Sequence, residues 1–223
     1  YFGKFYIQGN DAFDAVQHLS TADFTKKKTG DVVYTTLCNK NGGVEADLTI
    51  TYVNDRQFYV AAGGNTMTKD LMWIKKNIKH LDVHVQDVSD DMVMLSVQGP
   101  HSANLLQRMT GARVNLTDDI PFSSYKNIRM CGFDNIMCLR LTFVGELGYE
   151  LHMPSYIAPE VYKRIYEEGQ RYSKLYNVPV KNAGYRAIDS LSAEKGYRHW
   201  HADLANCDTP MEAGIGFTVL PRL

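Results

Sequence analysis

Three stretches of the chain hold residues whose types and spacing could do chemistry. The first is Gly42-Gly43-Val44-Glu45-Ala46-Asp47-Leu48-Thr49-Ile50. Alternation along an extended strand puts Val44, Ala46, Leu48 and Ile50 on one face and Glu45, Asp47 and Thr49 on the other. Aspartate is disfavoured in strands. Asp47 is therefore either a plain solvent-face residue or a carboxylate kept there for function. Spacing alone leaves both open.

The second stretch is Phe143-Val144-Gly145-Glu146-Leu147-Gly148-Tyr149-Glu150-Leu151. Its glycines mark a tight turn, which places Glu146 in the turn and Glu150 on the strand that follows. A carboxylate at Glu150 could accept two N–H bonds from the edge of a flat heterocycle such as a pterin or purine. An exposed strand glutamate is the plainer alternative.

The third stretch, Gly196-Tyr197-Arg198-His199-Trp200-His201-Ala202-Asp203, spaces two histidines at i and i+2 ahead of an aspartate. No further ligand is near in sequence, so a surface turn or strand holding aromatic and polar residues is the better reading than a metal site. Cys38, Cys131, Cys138 and Cys207 form no C-x-x-C pair and read as free thiols of a reducing compartment. Ser123, Ser124 and Ser155 lack a nucleophile elbow, and Gly63-Gly64 lacks a dinucleotide fingerprint. Asn115-Leu116-Thr117 fits the glycosylation triplet, which is common by chance.

The elements that must position these residues follow from periodicity. Strands are expected at 3–9, 31–38, 44–53, 57–62, 81–88, 92–97, 125–130, 135–142 and 148–153. Helices are expected at 11–19 with Asn10 as cap, and at 65–78, 101–109, 157–174 and 182–195. Asn39-Lys40-Asn41-Gly42-Gly43 joins two strands as a hairpin, because Asn and Gly accept positive φ. Strands followed by helices, twice over, argue for an α+β fold with two lobes, roughly 1–112 and 113–223.

The 223 residues suffice for a substantial core, and 44% hydrophobic with 22% charged residues is ordinary for a globular chain. A formal net charge of −1 recruits neither nucleic acid nor an anionic membrane surface. No run approaches the roughly 18 apolar residues of a membrane helix. The chain opens at Tyr1 without Met or leader, and Phe217-Thr218-Val219-Leu220 closes it in a strand-like stretch. It reads as a piece of a longer protein.

Several of these segments together resemble a known family. Cys38-Asn39-Lys40-Asn41-Gly42-Gly43 through Asp47-Leu48, Val97-Gln98-Gly99-Pro100, Gly145 through Leu151, and Pro210-Met211-Glu212-Ala213-Gly214 stand in family order across nearly the whole chain. They are similar to the folate-binding aminomethyltransferase fold of the glycine cleavage T-protein. The branch they resemble most is the folate domain of mitochondrial sarcosine and dimethylglycine dehydrogenases. The segment 194–204 is most similar to the sarcosine side of that branch.

The resemblance implies two antiparallel-sheet lobes with packed helices, and a tetrahydrofolate site. Asp47 matches the family's catalytic carboxylate, which also contacts the folate. Glu150 matches the residue on the pterin edge, and Tyr34 a position lining the folate site. Phe143 stands where the T-protein has a tyrosine, keeping the ring and losing the hydroxyl. Gly63 replaces a T-protein asparagine, and Ile188 and Ser192 fall where it has arginines. These departures disfavour a T-protein docked to a lipoyl carrier and fit the dehydrogenase branch. That branch implies FAD on an upstream flavin domain of the parent chain, electron-transfer flavoprotein as partner, and the mitochondrial matrix as address. The alternatives are a regulatory or scaffold subunit of the same fold and a stand-alone aminomethyltransferase.

Overall fold

The computed structural model describes residues 2–111 and 114–220. The chain forms two compact units: residues up to Ser89 together with Arg198 onward, and Asp90–Tyr197.

The first unit is built on a five-stranded antiparallel sheet of order β2-β3-β4-β1-β5, made of β1 (Phe2–Gly9), β2 (Val32–Cys38), β3 (Val44–Asn54), β4 (Gln57–Gly63) and β5 (Val83–Asp87). Period-two alternation sets its buried face: Val44, Ala46, Leu48 and Ile50 of β3 are at most 3% exposed. Ala46, Leu48 and Ile50 join Phe5, Ile7, Phe58 and Val60 in a core covered by α1 (Ala12–Leu19) and α2 (Met67–Asn77). Full burial of each such side chain is worth about 1.5–3 kcal/mol, so the register that buries this face is strongly specified. Helix α1 offers Ala12, Ala15, Val16 and Leu19 to the sheet, the one-face spacing expected of it. Its N-cap is Asp11 rather than Asn10, whose Nδ2 instead donates to Asp82 Oδ2 at 2.6 Å.

The second unit carries a four-stranded antiparallel sheet of order β6-β9-β8-β7, from β6 (Met92–Gln98), β7 (Tyr125–Met130), β8 (Phe133–Leu139) and β9 (Gly148–Pro154). Its core gathers Leu106, Leu116, Ile128, Ile136, Tyr149, Leu151 and Val161. They come from the sheet and from α3 (Ser102–Gln107), α4 (Leu116–Asp119) and α5 (Ala158–Tyr176), while α6 (Tyr185–Glu194) follows α5 in the chain.

The units divide the chain differently from the lobes expected at 1–112 and 113–223, and residues 112 and 113 themselves lie outside the described ones. The reason is pairing. β6 joins β9 along seven register pairs from Met92–Pro154 to Gln98–Gly148, which ties it to the second sheet. The segment from Arg198 returns to the first: Leu204 and Ile215 pack on Val44. The end of the chain also departs from expectation. Gly216–Thr218 is a 3-10 turn rather than strand, and Leu220 N donates to Thr21 O at 3.1 Å. Tyr1, expected to open a strand, lies outside the described residues.

Candidate functional site

Strands β2 and β3 place Tyr34 and Asp47 within reach of each other. In their register Tyr34 stands opposite Thr49 and Thr36 opposite Asp47, so the pair is diagonal. Tyr34 Oη donates to Asp47 Oδ2 at 2.9 Å. The hairpin between the strands keeps the register. Gly42 has φ +83°, which glycine adopts without strain. A Cβ on Gly43 would stand 2.0 Å from the Asn206 carbonyl, so only glycine lets the later segment lie that close.

Asp47 is half-buried rather than on an open solvent face. Desolvation pushes its carboxyl above the usual carboxylate range. The Tyr34 hydroxyl, a backbone donor and the charges of His199 and Lys69 work against that rise without cancelling it. Tyr34 answers in the opposite sense. Burial, then the negative charge of Asp47 and its hydrogen bond, hold its phenol far above the ordinary tyrosine value. The proton therefore stays on the Tyr34 oxygen, and Tyr34 serves as donor to Asp47.

Helix α2 adds a second carboxylate. Asp70 is 1% exposed, and burial pushes its carboxyl up to about 6, with the charge of Asp47 contributing. Thr66 Oγ1 donates to Asp70 Oδ2 at 2.6 Å, and Lys69 Nζ lies 3.5 Å from Oδ1. The same ammonium donates to the Glu45 carbonyl on β3 and stands 3.4 Å from the Trp200 ring centroid. Trp200 Nε1 in turn donates to the Val44 carbonyl at 2.9 Å. On the other side, the Tyr34 and Phe217 rings lie 6.1 Å apart, with Phe217 exposed.

The other two expected site residues belong to the second unit. Phe143 sits in the turn before β9, exposed, with its ring 6.5 Å from that of Tyr197. Its carbonyl accepts a hydrogen bond from Ser192 Oγ. Glu150 lies on β9 opposite Ser96 of β6, and its Oε2 is 3.2 Å from Nε2 of the fully buried His152. Glu146 is in the turn, exposed and 3.6 Å from Lys195 Nζ. Of the positions that depart from the family pattern, Gly63 ends β4 and its carbonyl accepts from Thr66 N at 3.2 Å. Ser192 is fully buried and Ile188 half-buried on α6.

Sequence reasoning missed Lys69, Asp70, Trp200 and the nearness of His199 to Asp47. The segment 196–203 is irregular with turns at its ends, and Trp200, bridged to Leu204, is half-buried on the first unit instead of being a surface residue. Asp70 gave one signal: an aspartate in helix 65–78 on the apolar side set by Met67, Ile74 and Ile78. No group of three or more His, Cys, Asp or Glu that could hold a metal occurs among the described residues. The four cysteines are free, and among the described residues no helix is long and apolar enough to cross a membrane.

An α+β chain with this two-sheet topology and a carboxylate–phenol pair on its β2–β3 hairpin is an aminomethyltransferase-like domain. The chain belongs to the GCVT N-terminal domain family, whose model matches residues 1–221. It is 40% identical over 233 residues to mitochondrial sarcosine dehydrogenase of Mus musculus, covering 98% of this chain and 24% of that protein. It is 34% identical to an aminomethyltransferase of Thermoanaerobacter sp. (strain X514), covering 97% of this chain and 56% of that protein. The chain thus spans about a quarter of the first relative and little more than half of the second. In fold it matches the crystal structure of glycine cleavage system aminomethyltransferase T from Bartonella henselae, with a TM-score of 0.83 at 21% identity, over 98% of this chain and 55% of that one.

Proposed function

We propose that this chain is the tetrahydrofolate-binding, one-carbon-transfer domain of a sarcosine dehydrogenase-type flavoprotein. In this reading sarcosine is oxidised at FAD on another domain of the parent protein. The one-carbon unit is then captured here as 5,10-methylenetetrahydrofolate, in the mitochondrial matrix, with electron-transfer flavoprotein as the electron acceptor. The observation that carries the reading is the half-buried Asp47 with Tyr34 Oη on one carboxylate oxygen, in a chain 40% identical to a sarcosine dehydrogenase.

The residues present suit a reduced pterin. Asp47 offers a desolvated carboxylate, and the Tyr34–Phe217 pair offers an aromatic wall beside it. When bound, tetrahydrofolate supplies the amine nitrogens that take up the one-carbon unit. Asp47 orients such an amine, accepts its proton as the new bond forms, and stabilises cationic charge next to it. Tyr34 holds the carboxylate in one rotamer through Oδ2. Phe143 and Glu150 enter this proposal on their motif alone. Glu150 is supported by the His152 ring nitrogen that fixes its Oε2.

Calorimetric titration with a reduced folate tests this reading against a scaffold of the same fold. A domain with a working site releases heat on binding, and Asp47→Asn weakens it. A flat titration of the unaltered protein assigns the chain to the scaffold class instead.

A further inference from the structure

Lys69 is held more firmly than a half-exposed lysine needs to be. Its ammonium has three partners on three different parts of the first unit. They are the carboxylate of Asp70 at 3.5 Å, the Glu45 carbonyl on β3, and the Trp200 ring face at 3.4 Å. Ordering a lysine in one rotamer costs side-chain entropy. Asp70 adds a further cost, because it is 1% exposed and its Oδ1 accepts no hydrogen bond among the described residues, having only the Lys69 charge beside it. Apolar side chains would fill such a position at lower cost. An ion pair kept under these conditions marks a charge needed in that place.

The place is the N-terminal half of β3. Glu45, whose carbonyl receives the ammonium, precedes Asp47 by two residues, and their side chains share one face of the strand. We infer that Lys69 is a positioning residue for Asp47: Asp70, the Glu45 carbonyl and the Trp200 ring clamp its ammonium so that a fixed positive charge stands against β3 two residues before Asp47. Trp200 is the part of the clamp that the later segment contributes, anchored by its own hydrogen bond to the Val44 carbonyl at 2.9 Å. The inference rests on the reading of Asp47 as the site's acid–base group, and extends it to how that group is kept charged.

The titratable and charged groups facing Asp47 are Tyr34 from β2, Glu45 from its own strand, Lys69 and Asp70 from α2, and His199 from the later segment. Tyr34 donates without giving up its proton, while Glu45 and Asp70 carry the same sign as Asp47. The cations are Lys69 and, when protonated, His199. Burial raises the Asp47 carboxyl, and Lys69 opposes the rise.

The test is the titration of the Asp47 side-chain carboxyl by carbon-detected NMR, in the protein without folate, for wild type, Lys69→Met, Lys69→Arg and the control Lys76→Met on the exposed side of α2. Lys69→Met is expected to raise the Asp47 midpoint. Lys69→Arg and Lys76→Met are expected to leave it where it is. If Lys69→Met lowers stability but leaves the midpoint unchanged, Lys69 is only a staple for the Trp200 segment and the inference is overturned. A shift of equal size in Lys69→Arg overturns it too, because the charge would then not be its cause. Lys69→Gln gives the same reading should Lys69→Met fail to fold. No folate is present, so a failed folate titration and a failed midpoint shift are separate results.

Discussion

Tyr34 Oη and Asp47 Oδ2 are joined at 2.9 Å across a diagonal of the β2–β3 ladder, and each changes the proton affinity of the other. The phenol keeps its proton because it is buried and because the carboxylate stands beside it. The carboxyl rises less than its burial alone would drive it because the phenol donates. Tyr34→Phe is therefore expected to move the Asp47 titration to higher pH. A hydrogen bond to a charged group is worth about 1.5–3 kcal/mol, so a stability loss of that size at a pH where Asp47 is ionised should appear in denaturant unfolding. An unchanged midpoint together with unchanged stability would mean the bond is not formed in solution.

Asp70 makes stability depend on pH in a defined direction. Burial pushes its folded carboxyl up to about 6, above the ordinary aspartate range, so the native state binds that proton more tightly than the unfolded chain does. A group of this kind does not affect stability below the unfolded value, and it destabilises the fold progressively as pH rises from about 4 to about 6. The full difference corresponds to about 3 kcal/mol. Asp70→Asn removes the titration. Urea unfolding of both proteins from pH 4 to 7 should show the variant gaining on wild type across that window, whereas a constant gap would show that Asp70 ionises normally.

Ser192 holds the buried position of α6, where a long cation would be closed off from solvent. Its side chain is fully buried and Oγ donates to the Phe143 carbonyl, holding the turn that precedes β9. Ser192→Arg would bury a guanidinium with no partner, at a cost of about 3–5 kcal/mol. Ser192→Ala only leaves the carbonyl without its donor and costs about 1 kcal/mol. Thermal unfolding of the two variants should rank them in that order, and equal stability would show that the site opens to solvent.

The four thiols should separate by accessibility. Cys207 is exposed, while Cys131 and Cys138 are buried and held up at about 11 and about 12 by desolvation. Iodoacetamide labelling of the native protein, read by mass spectrometry, should modify Cys207 first and the buried pair only after unfolding. Early labelling of Cys138 would contradict its place in the second core.

What was legible in the sequence was local. The alternation that buries Val44, Ala46, Leu48 and Ile50 is written in consecutive residues, and so is the Asn–Gly hairpin that pairs β2 with β3. Asp47 could be singled out because a charged residue interrupts that pattern. What surrounds it could not. Trp200 reaches the Val44 carbonyl from 156 residues away, and Lys69 comes from a helix whose polar residues all look alike in one dimension. The unit boundary was hidden for the same reason, because the pairing of β6 with β9 is non-local. Nothing near Met92 states which sheet will receive it.

Asp47 is proposed to serve a folate-dependent one-carbon step. Its most direct test is the yield of 5,10-methylenetetrahydrofolate per sarcosine oxidised, in the full-length parent protein and its Asp47→Asn variant. Unfolding of both should be checked alongside to confirm that the fold is kept. The expected result is a loss of methylene transfer on the order of 10²–10⁴-fold with flavin reduction intact. An unchanged yield in a folded, flavin-reducing Asp47→Asn protein would contradict the assignment.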